Sequence, residues 1–174
     1  MNTYISLFRG INVGGNNLLS MKKLTPLCES LGAAHVKTYI QSGNLVYQYH
    51  EDLTQVLQES IQKTFGFTPK IHTLPLSTYR TILDKNPYQD EEPKHVHCFF
   101  CFPEVSNAES ESIAALKTVN ETYLITKNAF YLFAPDGIGR SKLAAKIEKL
   151  LGVNTTARNL NSLNKILSLA EKLG

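Results

Sequence analysis

Residues 9–15 read Arg-Gly-Ile-Asn-Val-Gly-Gly and follow directly on the apolar run Tyr4-Ile5-Ser6-Leu7-Phe8. An arginine, an asparagine and three glycines at the end of a strand have the chemistry of a polar site, one suited to an anion. Glycines admit positive φ and let backbone N–H groups approach a partner closely. Arg9 adds a planar cation and Asn12 a two-way amide. A second polar group, Gln41-Ser42-Gly43-Asn44, interrupts two strand-like runs. A third, Gly137-Ile138-Gly139-Arg140-Ser141-Lys142, opens a helix, where free N–H groups and the positive end of the helix dipole attract anions. There Ser141 and Lys142 offer a hydroxyl and a cation, although Ser141 reads equally well as an ordinary helix cap. Arg158-Asn159, before the last helix, repeats the arginine-plus-amide theme of Arg9 and Asn12 in what reads as a matching loop context.

Known phosphate motifs do not fit these loops. Gly10-x4-Gly15 begins like a P-loop, but Asn16-Asn17 stand where Lys-Ser/Thr is required. A dinucleotide fingerprint fails on glycine spacing and on the missing acidic residue. His95-Val96-His97-Cys98-Phe99-Phe100-Cys101 invites a metal reading. On a strand, however, Cys98 points away from the face shared by His95, His97 and Cys101, so the Cys-x2-Cys pair cannot chelate as in a zinc knuckle. Strand packing is the preferred reading. No Ser/His/Asp set, Cys/His pair or carboxylate dyad assembles from the spacing, and Asp136 reads as a turn residue. Neither a metal nor a cofactor is expected.

The elements that would position these groups follow from periodicity. Strands are predicted at 3–8, 35–40 and 44–49, the last two joined by the hairpin signal Gln41–Asn44. Ser20 opens a helix whose stripe is Leu24, Leu27, Cys28 and Leu31, ended by Gly32. A second helix runs over Leu53, Val56, Leu57, Ile61 and Phe65 to Gly66. A strand at Pro69–Leu74 and a short helix from Ser77 to Leu83 complete a β-α-β-β-α-β series plus one helix. The order then recurs: strand Val96–Phe102, helix Ser106–Leu116, strands Thr122–Thr126 and Phe130–Phe133, helix 140–151, stretch 153–158 and a final helix.

The expected fold class is therefore α+β, with two ferredoxin-like units in tandem, each with an extra C-terminal helix. The first subdomain covers 1–84, a linker 85–95, and the second subdomain 96–174. In such a sheet the first two strands run parallel with the third between them. Arg9–Gly15 and Gln41–Asn44 should then be neighbours, and the end of strand 130–133 should share a sheet edge with the end of 153–158. Were the two edges to face one another, they would make one cleft.

Composition narrows the class. With 174 residues, 43% hydrophobic and 19% charged, the chain can bury a core and is no disordered segment. No apolar stretch is long enough to span a membrane, and no basic leader precedes the first strand. Three cysteines without a pairing pattern agree with a reducing compartment. The expected location is cytoplasmic, with no membrane partner. Net charge is only +3, with an acidic stretch at 84–121 (three basic, eight acidic) and a basic one at 140–174 (seven basic, two acidic). Amphipathic helices with solvated lysines account for the second count as well as a nucleic-acid surface does. The aromatics alternate along strands as core residues do, and no stacking motif of the RRM type is present.

Five motifs in order carry a resemblance. They are Arg9–Gly15 followed by Met21-Lys22-Lys23-Leu24; Lys37-Thr38-Tyr39-Ile40-Gln41-Ser42-Gly43-Asn44; Asn86-Pro87; Gly137-x-Gly139-x-Ser141-Lys142-Leu143; and Thr156-Ala157-Arg158-Asn159. Together they resemble the bacterial family catalogued as domain of unknown function 1697. Leu160 departs from it, standing where the family often has an aromatic, and the linker is acidic. The resemblance implies a compact α/β fold and a cytoplasmic protein, and brings no established reaction or ligand.

Three function classes follow. The leading one is binding of an anionic or phosphate-bearing ligand, either a nucleotide or a phosphorylated metabolite, with a nucleic-acid backbone less supported. Its first cluster is Arg9, Gly10, Asn12, Gly14, Gly15, Ser42, Gly43 and Asn44. Its second is Gly139, Ser141, Lys142, Arg158 and Asn159, with Gly137 shaping the loop. The alternatives are a metal-independent transferase or hydrolase acting on a phosphorylated substrate, with Ser42 or Ser141 as the hydroxyl, and an interaction module in which the motifs serve only the fold.

Overall fold

The computed structural model describes residues 1–173. Sixteen elements alternate along the chain, of which the regular strands and helices number as follows. The first series is β1 (Asn2–Arg9), α1 (Met21–Ser30), β2 (Ala34–Tyr39), β3 (Asn44–Tyr49), α2 (Thr54–Phe65), β4 (Lys70–Pro75) and α3 (Leu76–Asp84). The second is β5 (Val96–Phe102), α4 (Ser110–Leu116), β6 (Thr122–Ile125), β7 (Ala129–Phe133), α5 (Lys142–Leu151), β8 (Asn154–Asn159) and α6 (Leu160–Glu171). Short 3-10 turns at Pro93–His95 and Ile138–Arg140 precede β5 and α5. The strands form two antiparallel four-stranded sheets of order β2-β3-β1-β4 and β6-β7-β5-β8. The predicted α+β fold, two β-α-β-β-α-β units in tandem, each followed by a helix, is the fold observed. By contacts the chain divides into Met1–Thr81 with the residues from Lys165 onward, and Ile82–Asn164. The division falls inside α3 and inside α6.

In the first unit alternation along the strands makes two apolar faces. Tyr4, Phe8, Leu45, Tyr47 and Ile71 share one face and pack against Leu24 and Cys28 of α1 and Leu57 and Ile61 of α2. Side chains of this size contribute about 1.5–3 kcal/mol each when fully buried, so this face is the main cohesive element of the unit. Ile5, Leu7, Val46 and Leu74 line the opposite face and are buried too. On that face Gln48 Nε2 donates to the Leu173 carbonyl at 2.6 Å, and Arg80 bonds Glu171 at 3.0 Å, so the end of α6 belongs to this unit.

The second unit repeats the scheme. Phe99, Cys101, Phe130 and Leu132 pack on Ile113 of α4 and Leu143, Ile147 and Leu151 of α5. On the other face the Tyr131 hydroxyl donates to the Ile82 carbonyl at 2.6 Å, which anchors the end of α3. In the segment 85–95, Asn86 Oδ1 accepts from the Tyr88 N–H at 3.0 Å, and Tyr88 stacks on Phe133.

Boundaries differ from expectation where tertiary bonds override periodicity. Helix α4 starts at Ser110 rather than Ser106, because the Val105 and Glu109 N–H groups bond the Lys127 and Leu150 carbonyls. Ser20 sits at the start of α1 as expected, yet its side chain makes no capping bond; only its carbonyl accepts, from Lys23 and Leu24. Gly66 and Gly152 end α2 and α5 in the left-handed conformation that glycine favours.

Candidate functional site

The connection from β1 to α1 forms a small hairpin. The Asn12 N–H donates to the Asn17 carbonyl at 3.1 Å, Asn16 N–H to Val13 O at 3.0 Å, and Asn17 Nδ2 to Gly10 O at 3.0 Å. Gly14 and Gly15 occupy its tip at φ 57° and 77°, the two positive values a type I′ turn requires. Asn12 and Asn17 also take positive φ, which asparagine tolerates better than most residues.

This hairpin is tied to the β2–β3 turn, as the topology predicts. Asn12 Nδ2 donates to the Gln41 carbonyl at 2.8 Å and to Leu19 O at 2.9 Å, while its Oδ1 accepts from the Leu19 N–H at 2.8 Å. Both amide hydrogens therefore go to backbone, and Asn12 acts as a strut. In the turn, the Gly43 carbonyl accepts from Phe8 N–H at 2.8 Å, and Gly43 lies against the core. A Cβ there would come within 2.6 Å of both Phe8 Cβ and Ile11 Cδ1. Asn44 is fully buried, its Nδ2 donating to Tyr39 O at 2.8 Å and to the exposed Ser42 Oγ at 3.4 Å. Ile40 has φ 49°, an outlying value for a β-branched residue.

Two basic residues meet at the end of β1. Arg9 is half-buried, and its cross-strand partner in register is the exposed Lys70 of β4. Sequence reasoning missed Lys70, Asn17 and Ile40. Lys70 could be found only from register, whereas the Asn16-Asn17 pair hinted at left-handed backbone.

In the second unit the predicted residues sit at the other end of the repeat. The end of β7 and the end of β8 flank the start of β5, with Phe133 opposite Val96 and Asn159 opposite His97. They share an edge as expected. In repeat terms, however, Arg9 matches Phe102, the end of β5, so Arg158-Asn159 does not occupy a matching loop context. The match follows from the common register: Phe8 N–H bonds Gly43 O, and Cys101 N–H bonds Asn128 O at the equivalent turn.

The polar groups here serve helix starts. Ser141, 4% exposed, accepts from Ala144 N–H at 3.0 Å and caps α5. Asn159 Oδ1 accepts from Ser162 N–H at 2.9 Å at the start of α6. Arg158 Nη1 donates to Ala157 O at 2.8 Å, and Gly139 and Lys142 are exposed. Exposed Asp136 accepts from Asn120 Nδ2 at 3.1 Å.

His95 lies in the 3-10 turn rather than on β5. His97 is on the strand, half-buried, and its Nδ1 is buried with no hydrogen-bond partner. Burial, and secondarily the charge of His95, pushes its pKa below the usual imidazole value. All three cysteines are free and buried, and burial raises the Cys28 and Cys101 thiols to about 12, which makes them unreactive near neutrality. Among the described residues no three His, Cys, Asp or Glu side chains converge as a metal site, and no helix is long and apolar enough to cross a membrane.

A conserved bacterial protein from Streptococcus pneumoniae has a similar structure, with a TM-score of 0.72 at 22% identity over 97% of this chain and 98% of that one. At that identity the likeness is one of fold. No curated protein matches the chain. The family model described as "Protein of unknown function (DUF1697)" matches residues 1–131, a span that holds the β1–α1 hairpin, the β2–β3 turn and Asn86-Pro87. The chain belongs to this family.

Proposed function

We propose that the protein binds an anionic, phosphate-bearing small molecule at the end of its first sheet. The observation that carries this reading is the cation pair Arg9 and Lys70, opposite one another in register beside a glycine-rich hairpin. A bound anion pairs with both cations and takes N–H donors from the turn backbone. Asn12 ties the two loops together and Asn44 braces the β2–β3 turn, while Arg9, Lys70 and the backbone at Gly14-Gly15 and Ser42 face the ligand. Ile40, a β-branched residue at φ 49°, is strained backbone in the second of these loops, and strained conformations gather at functional sites. A catalytic role through Ser141 has less support, because that hydroxyl caps α5.

Thermal unfolding with inorganic phosphate, nucleotides and phosphosugars tests the reading in wild type, Arg9→Ala and Lys70→Gln. A ligand at a hundred times its Kd adds about 2.7 kcal/mol, equivalent to about 5–10 °C in Tm for a chain of this size. That shift should vanish in Arg9→Ala and shrink in Lys70→Gln, while ligand-free Lys70→Gln is as stable as wild type or slightly more so. Indistinguishable profiles overturn the proposal. Affinity for an oligonucleotide that falls steeply with salt would shift the reading to a nucleic-acid backbone.

A further inference from the structure

A separate feature of the first unit is a groove of about 480 Å³ lined by Lys22, Lys23, Pro26, Leu27, Thr64 and Phe65. It lies between the first half of α1 and the last turn of α2. Its origin is in the sequence. Pro26 stands inside α1 and lacks the N–H that the Lys22 carbonyl would otherwise accept. At the other wall, α2 stops at Phe65 because Gly66 turns left-handed at φ 83°. The Phe65 ring, half-buried against the core, is left as an apolar wall.

The lining has two chemistries. Pro26, Leu27 and Phe65 supply apolar surface, while Lys22 and Lys23 supply two exposed ammonium groups. Among the described residues neither lysine is in an ion pair. The acidic residues of these helices, Glu29 and Glu59, do not line the groove. The mostly apolar lining with few polar groups suits a small ligand with an apolar body. Two cations in the lining select an anionic head group. The Met21-Lys22-Lys23-Leu24 segment has no part in the phosphate reading above, and this groove gives it one.

We propose that the α1–α2 groove binds a small amphipathic carboxylate, its head group paired with Lys22 and Lys23 and its apolar body against Pro26, Leu27 and Phe65. The site is independent of the Arg9 loop. Amide-resolved NMR titration tests it with three probes: octanoate, the neutral octanol, and inorganic phosphate. Octanoate should move residues 22–27 and 63–66 saturably and bind about tenfold tighter than octanol, the difference two partly exposed ion pairs supply. In the double variant Lys22→Gln/Lys23→Gln, octanoate should fall to the affinity of octanol, and octanol should be unchanged. Both lysines are exposed, so the variant keeps the fold. Phosphate, which lacks an apolar body, should bind here more weakly than octanoate, and the octanoate response should be unchanged in Arg9→Ala, which keeps this result apart from the outcome at Arg9. Equal binding of octanoate and octanol, no saturable shift in the groove, or an unchanged double variant overturns the proposal. So does an acidic peptide that shifts these residues where octanoate does not.

Discussion

The turn joining β2 and β3 and the turn joining β6 and β7 occupy the same place in their respective units, yet they are built differently. Each is fastened to the strand beside it by an equivalent backbone bond, Phe8 N–H to Gly43 O and Cys101 N–H to Asn128 O. At the first, the following residues are Arg9 and Gly10, and an eleven-residue connection folds back as a hairpin. At the second they are Phe102 and Pro103, and Asn128 Nδ2 bonds Glu104 Oε1 at the surface. One scaffold therefore carries a cationic, left-handed loop system in one copy and a plain polar turn in the other. The difference separates what the fold needs from what has been added to it.

Substitution at the matched positions gives the largest test. Gly43→Ala places a methyl against Phe8 and Ile11 at a φ of 88°, and overpacking plus backbone strain should cost about 2–5 kcal/mol. Asn128→Ala loses one exposed bond and should cost about 0.5–1 kcal/mol. Urea unfolding of both variants checks the contrast, and equal losses would erase it. Next in size is Asn12→Ala, which leaves the Leu19 N–H and two carbonyls without their side-chain partner. A loss of about 1–3 kcal/mol is expected. Hydrogen exchange in this variant should quicken in both loops together, since one side chain joins them.

Smaller effects belong to the second unit. Ser141→Ala and Asn159→Ala each remove a helix cap and should cost about 1 kcal/mol. Neither should alter the phosphate response of the first unit; a change there would return these residues to the ligand site. The smallest effect is the acid sensitivity from His97. Its folded pKa is lowered by burial, so its contribution to stability is complete above the unfolded value of about 6.5 and is lost as the pH falls toward the folded one. Tm measured from pH 7 to 5 should fall less in His97→Gln than in wild type.

Much of this fold was readable from residues alone. Alternation over Tyr4–Phe8 and Val96–Phe102, glycine stops at Gly66 and Gly152, and the hairpin signal at Gln41–Asn44 are local, and local chemistry decides them. The neighbouring of the Arg9 and Gln41 loops followed from element order. What escaped was set by distant bonds. The start of α4 depends on Leu150 and Lys127, and the pairing of Arg9 with Lys70 on sheet register. The roles of Asn12 and Asn159 were hidden for another reason, and the two readings of Ser141, cap and ligand group, stood level for the same one. An amide or hydroxyl that would suit a ligand suits a backbone equally, and composition does not distinguish the two uses.

The β1–α1 hairpin is closed at its base, where Asn12 and Asn17 bond one another and each is anchored separately to the body of the unit. Everything beyond that closure, Val13 to Asn16, is held only by itself, and Val13 is 67% exposed. Chain entering and leaving at the same place is the geometry of an insertion port. Lengthening the tip, or exchanging it for another turn, leaves the two anchor points where they are. Such a change therefore keeps β1, α1 and the Arg9 position in alignment while it removes the Gly14-Gly15 backbone from the proposed ligand site.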